Sequence, residues 1–189
     1  REDHPNLSVI AGYDPKINPD YKDFDMRAEF FSTIDEFSER KFDLIMCSFV
    51  LHHLEEAEII EVIQVMKNSL NPNGKILILE ETIPDVLTNE LETNSNMFLK
   101  NIGYESSKSL NLQFTNLTTE QKFDAIYIND VLINYKNLDY IPWTKTYKTM
   151  EEWGRLFKIN NLTISEQYYF GAIEQGRLKQ GMTGMFLLT

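Results

Sequence analysis

Two pairs of ionisable residues close apolar runs in this chain. His52-His53 follows Phe42 to Cys47, and Glu80-Glu81 follows Lys75 to Leu79. Imidazoles and carboxylates at strand ends can take or give a proton near neutral pH, so these four are candidates for general acid–base work. A His pair can also ligate a metal. Adjacent residues seldom hold one ion, however, and no Cys, Asp or Glu stands at metal-ligand spacing around the pair, so no metal is expected. The structural alternative is that one His caps the next helix while the other packs against a sheet. A further set, Tyr135, Tyr140, Trp143 and Tyr147, offers flat faces that could stack on a planar ring or seal a lid over the core.

The runs before these pairs are short and nearly continuously apolar, the signature of parallel strands covered on both faces. Between them Ile59, Ile60, Ile63, Met66 and Leu70 recur at helical spacing, while Glu56, Glu58, Glu61 and Lys67 face outward. Asn71-Pro72-Asn73-Gly74 ends that helix, because Pro cannot extend it and Gly can take a positive φ. The result is a right-handed βαβ crossover, and ligands of open α/β sheets sit beyond the carboxyl ends of such strands. Ser48 to His53 occupies that position.

Around this unit, Leu7 to Tyr13 reads as a strand closed by Asp14-Pro15, and Arg27 to Phe31 as another, followed by Ser32-Thr33. Residues 82–115 are polar and interrupted, fitting a cover with one helix near Asn96–Asn101. Capping boxes at Thr118–Gln121 and Thr149–Glu152 start two further helices. The first aligns Phe123, Ile126, Tyr127, Asp130 and Asn134 on one face, and the second buries Trp153, Leu156 and Phe157. Leu162 to Phe170 and Thr183 to Thr189 read as strands joined by a Gly-rich connection.

The chain has 189 residues, 42% of them hydrophobic, enough for one domain with its own core. A net charge of −11 argues against a nucleic-acid surface formed by this chain alone. The single cysteine, Cys47, lies inside a predicted strand, so a disulfide framework is excluded and a reducing, cytoplasmic location is expected. No apolar run approaches the roughly 18–20 residues that span a bilayer.

FDLIMCSFVLHHL, a helix, and then LNPNGKILILEE resemble the fourth and fifth motifs of class I S-adenosylmethionine-dependent methyltransferases. The resemblance implies a Rossmann-like α/β fold, mostly parallel with an antiparallel last strand. Residues 1–189 would form one methyltransferase-like domain, with 82–148 as a lid. It also implies S-adenosylmethionine as cofactor. Asp14 would accept hydrogen bonds from the ribose hydroxyls, Ser32 and Thr33 would lie beside the adenine, and Ser48 and Phe49 would border the donor through their backbone. The acceptor would meet His52, His53, Glu80, Tyr135 and Trp143. Residues 123–170 add a looser likeness to the lid-then-helix segment of small methyltransferases.

The chain departs from that family in lacking a G-x-G turn and a strand before Leu7. The family's first strand lies at the sheet centre, so the chain is expected to be a piece completed by an upstream segment or another polypeptide. Three readings stay open: a methyltransferase of unidentified small acceptor, an RNA-cap guanine methyltransferase within a larger capping protein, and an inactive methyltransferase-like module supporting a partner. The second rests on CSFVLH, which loosely resembles that group's C-Q-F-x-x-H, and the third on the missing glycine turn.

Overall fold

The computed structural model describes residues 10–13, 28–31, 33–134, 143–175 and 178–189. Strands β1 (Ile10–Tyr13) and β2 (Ala28–Phe31) form a parallel two-stranded sheet. The main sheet contains β3 (Phe42–Ser48), β4 (Leu70–Glu81), β5 (Ile164–Gln175) and β6 (Leu178–Leu188), in the order β3-β4-β6-β5. β3 and β4 run parallel, whereas β6 is antiparallel to both of its neighbours. The expected edge pair is therefore present, with strands that run further into the connection than the glycines suggested.

Helix α2 (Glu56–Asn68) makes the crossover between β3 and β4. Glu55 and Glu58 close a capping box at its start, and Ile59, Ile63 and Met66 face the sheet. Helix α6 (Met150–Ile159) starts at the Thr149 capping box and buries Trp153, Leu156 and Phe157. These side chains join Ile45, Cys47, Ile76, Ile78, Phe186 and Leu188 in the principal core. Fully burying an aliphatic or aromatic side chain of this size contributes about 1.5–3 kcal/mol, so this one face supplies much of the driving force.

Several local expectations change. Ile60 is 40% exposed, because the packed face of α2 is narrower than its apolar content implied. Asn71–Gly74 lies within β4, whose ladder with β3 already begins at Phe42↔Leu70. The positive φ falls on Asn73, at 67°, and not on Gly74. Gly74 is needed for closeness: a Cβ there would stand 2.9 Å from the Phe42 carbonyl oxygen and 3.0 Å from that of Asn71.

β3 also differs from the expected strand covered on both faces. Leu44 and Met46 are 58% and 64% exposed, while Ile45 and Cys47 on the opposite face are buried. Among the described residues β3 has a ladder only with β4, and the two sheets share none. A stack of rings connects them instead. Phe37, on the short helix α1 (Ile34–Ser38), stacks on Phe42 at 4.9 Å and meets Phe31 edge-on at 6.3 Å.

Between β4 and α6 lie α3 (Asn89–Asn101), α4 (Lys108–Thr115) and α5 (Thr119–Ile133). α3 starts seven residues before the expected helix because Thr88 caps it, accepting from the Leu91 N–H. Its Phe98 and Leu99 cover β5 and β6 at Tyr168, Phe170 and Met185. Among the described residues no helix is long and apolar enough to cross a membrane.

Candidate functional site

β3 ends at Ser48, and Phe49 turns the chain with φ 55° while its N–H donates to the Leu79 carbonyl at 2.8 Å. Residues Leu51–His53 then form one 3-10 turn. Glu80, next to last in β4, accounts for that turn. One of its oxygens accepts from the Val50 and Leu51 N–H groups at 3.1 and 2.8 Å, and the other lies 2.5 Å from His52 Nδ1. The His52 ring is thereby held inside the protein, 1% exposed, stacked on Tyr147 at 5.0 Å.

Asp130 reaches the same point from α5. Its Oδ2 lies 3.6 Å from His52 Nε2 and 3.7 Å from His53 Nε2, and accepts from the Tyr147 hydroxyl at 3.2 Å. Its Oδ1 accepts from Asn134 Nδ2 at 2.7 Å, one helical turn further along. Thr144 and Thr146 tie the segment before α6 across the 3-10 turn, their hydroxyls lying within hydrogen-bond distance of each other and of the carbonyls of His52 and Leu54. Thr82 donates to the Lys148 carbonyl at 2.7 Å and fixes the same segment to the end of β4.

Charges in this enclosure are strongly coupled. Burial pulls the His52 pKa down, but Asp130 and Glu80 together with the charge of Glu81 outweigh it and push it up to about 10. Burial raises Glu81 to about 8, against the opposing pull of His52. Burial also works against ionised Asp130, yet the two imidazoles and Tyr147 hold its pKa below the usual carboxylate value. Burial, reinforced by the charge on Asp130, moves the Tyr147 phenol upward. The surroundings thus favour the protonated forms of both His52 and Glu81.

Of the residues expected at a site, the structure brings together His52, His53, Glu80 and Trp143. The Trp143 ring meets His53 edge-on at 5.7 Å. Glu80, expected to meet substrate, is wholly buried with both oxygens engaged, which makes it a positioning residue. Ser48 and Phe49 stand at the β3 terminus as expected. Thr33 uses its hydroxyl to cap α1, accepting from the Glu36 N–H at 3.3 Å. Asp14, Ser32 and Tyr135, with Tyr140, lie outside the described residues.

Asp130 was not among the expected site residues. Its signal was a carboxylate on the same helical face as Phe123 and Ile126, a placement that requires a buried partner. Beside the cluster, a cavity of about 480 Å³ lies between the start of α5 and Lys145–Tyr147, lined by Phe123, Asp124 and Tyr147. A groove of about 600 Å³ runs separately between α3 and β5.

A parallel βαβ unit carrying polar side chains at its carboxyl end, with an antiparallel edge pair beyond it, defines a Rossmann-like α/β domain of the class I methyltransferase kind. The methyltransferase domain family matches residues 4–117, and the chain belongs to that family, whose methyl donor is S-adenosylmethionine. LepI, solved with SAH and a substrate analogue, is similar in fold: TM-score 0.51, 10% identity, 100% of this chain against 38% of that one. LepI solved with SAM gives a TM-score of 0.50 at 10% identity, with the same coverage of 100% and 38%. A SAM-dependent methyltransferase from Leishmania major gives a TM-score of 0.52 at 11% identity, covering 96% of this chain and 55% of that one. The chain thus spans well under two thirds of these structures. No protein of curated function matches it in sequence.

Proposed function

We propose that this domain binds S-adenosylmethionine at the carboxyl ends of its strands and transfers the methyl group to a heteroatom of a small acceptor held beside His53, Trp143 and the aromatic lid. The observation that carries this reading is the junction of Ser48–His53 with Glu80 and Asp130. A strand end, a turn and a lid helix there converge on one buried polar cluster. Methyl transfer from a sulfonium needs an acceptor aligned roughly 3 Å from the methyl carbon and water kept away. A fixed turn under a packed lid suits both requirements. An acceptor hydroxyl or protonated amine also has a proton to lose, and in the metal-free protein His53, the less buried imidazole, is the group in this reading that takes it.

The same proposal includes a strand from an upstream segment or a second chain beside β3. The separation of the two sheets and the β3 edge that has no ladder partner among the described residues support it, because an unpaired central edge leaves backbone donors unsatisfied. Asp14, after β1, is assigned to the ribose hydroxyls.

Calorimetric titration of the full-length protein with S-adenosylmethionine tests the reading. Saturable binding is expected, and Asp14→Ala should weaken it by about tenfold or more, the loss of a charged hydrogen bond of about 1.5–3 kcal/mol. Absence of binding in the folded full-length protein would favour an inactive module.

A further inference from the structure

We infer that His52, His53 and Asp130 form a binding site for one divalent transition-metal ion of the zinc type. One ring nitrogen each of His52 and His53 and a carboxylate oxygen of Asp130 all lie within 4.8 Å of one another. From Asp130 Oδ2 the separations are 3.6 Å to His52 and 3.7 Å to His53. Those distances exceed the roughly 2.7–3.2 Å of an N–H···O bond. They approach the ~3.3 Å that separates ligand atoms around a tetrahedral ion with bonds of about 2.0–2.1 Å. Adjacent histidines seldom share an ion, but here the 3-10 turn brings their ring centroids to 4.0 Å, and a lid helix supplies the carboxylate that the local sequence lacks.

A second observation points to a ligand. His52 Nε2 is buried and has no hydrogen-bond partner, although its side chain is only 1% exposed and faces Asp130. Buried ring nitrogens are normally satisfied, so an orphan aimed at a carboxylate needs an explanation. The other nitrogen of the ring supplies one. Nδ1 is held by Glu80, itself fixed by two backbone N–H groups, which is the carboxylate–histidine arrangement that orients a metal ligand. Asn134 and Tyr147 hold Asp130 in the same way. Without an ion, the proton on Nε2 faces Asp130 Oδ2, 3.6 Å away. The ion takes its place, and one proton leaves to solvent.

Two imidazoles and one carboxylate suit zinc, iron or nickel better than magnesium or calcium, which prefer all-oxygen sets. Three protein ligands leave one position for water, the pattern of ions that take part in chemistry. This site does not depend on the methyl-donor reading.

The test uses the full-length protein stripped with chelator, titrated with Co2+ and then Zn2+, and read by visible absorption and calorimetry. One equivalent of Co2+ should give the ligand-field bands of a four- or five-coordinate ion, which Zn2+ then removes. His53→Ala and Asp130→Asn, checked for folding by circular dichroism, should each lower Zn2+ affinity at least about tenfold, and Glu80→Gln by about 10–100-fold. If a variant fails to fold, X-ray absorption fine structure of the unaltered protein decides, with two imidazoles and one carboxylate expected. Absent Co2+ bands, unchanged Zn2+ affinity in folded variants, or a different ligand set would overturn the site. A parallel titration with S-adenosylmethionine reads the other proposal separately, since donor binding can fail while Co2+ binding persists.

Discussion

Glu80→Gln is the substitution from which the structure predicts most. The side chain is fully buried and makes three contacts: two backbone N–H groups that set the turn, and His52 Nδ1. Gln fills the same volume, and its single oxygen can keep both backbone donors. Its amide N–H group then faces the Nδ1 proton of His52, so the imidazolium loses one of its two carboxylates and meets a donor in its place. Breaking one side of a buried charge pair costs about 3–5 kcal/mol. At about 2–4 °C per kcal/mol for a chain of this size, the melting temperature should fall by about 6–20 °C. Urea unfolding of the full-length protein, followed by circular dichroism, measures the loss directly. Glu61→Gln, on the exposed side of α2, is the control and should stay within about 0.5 kcal/mol of the parent. Adding His52→Asn to Glu80→Gln should cost less than the sum of the two single changes, because the second removes the charge that the first strands. A loss below about 1 kcal/mol, or strict additivity of the pair, would refute the ionic reading of this core.

Two further outcomes follow from the same geometry. In metal-free protein stability should fall as pH rises. Glu81 keeps a proton to about 8 that the unfolded chain releases above 4.5, and His52 keeps one to about 10 that the unfolded chain releases above 6.5, so both contributions are lost upward through those windows. Melting temperatures across neutral to alkaline pH should show a steeper decline for the parent than for His52→Asn, and equal slopes would count against it. Gly74→Ala should destabilise by about 1–3 kcal/mol, since the added carbon would meet backbone oxygens of Phe42 and Asn71 that cannot move aside independently. Chemical denaturation checks this, and a neutral result would mean that the β3–β4 junction relaxes.

The fold was legible where local pattern and tertiary demand agree. The β3–α2–β4 crossover, both Thr capping boxes and the antiparallel edge pair follow from apolar runs, caps and turn residues that act over a few positions. Local pattern failed where neighbours far along the chain decide. Ile60 carries a core residue's hydrophobicity, but among the described residues no element covers it. Asn71–Gly74 has turn chemistry, yet the Phe42↔Leu70 pairing draws it into a strand. The site divides in the same way. His52, His53 and Glu80 were visible as polar residues closing apolar strands, whereas their grouping with Asp130 spans 78 positions between His52 and the aspartate and needs α5 folded against the turn beyond β3. That Glu80 organises the turn was equally invisible, since its two backbone donors lie 29 and 30 residues away.

The central claim is that the donor lies against the turn beyond β3. Hydrogen–deuterium exchange of the full-length protein with and without S-adenosylmethionine tests it most directly. The account predicts slowed exchange at residues 48–53, the turn that Glu80 holds, with little change in the groove between α3 and β5. Binding that leaves residues 48–53 unchanged, or that protects only the α3–β5 groove, would contradict it.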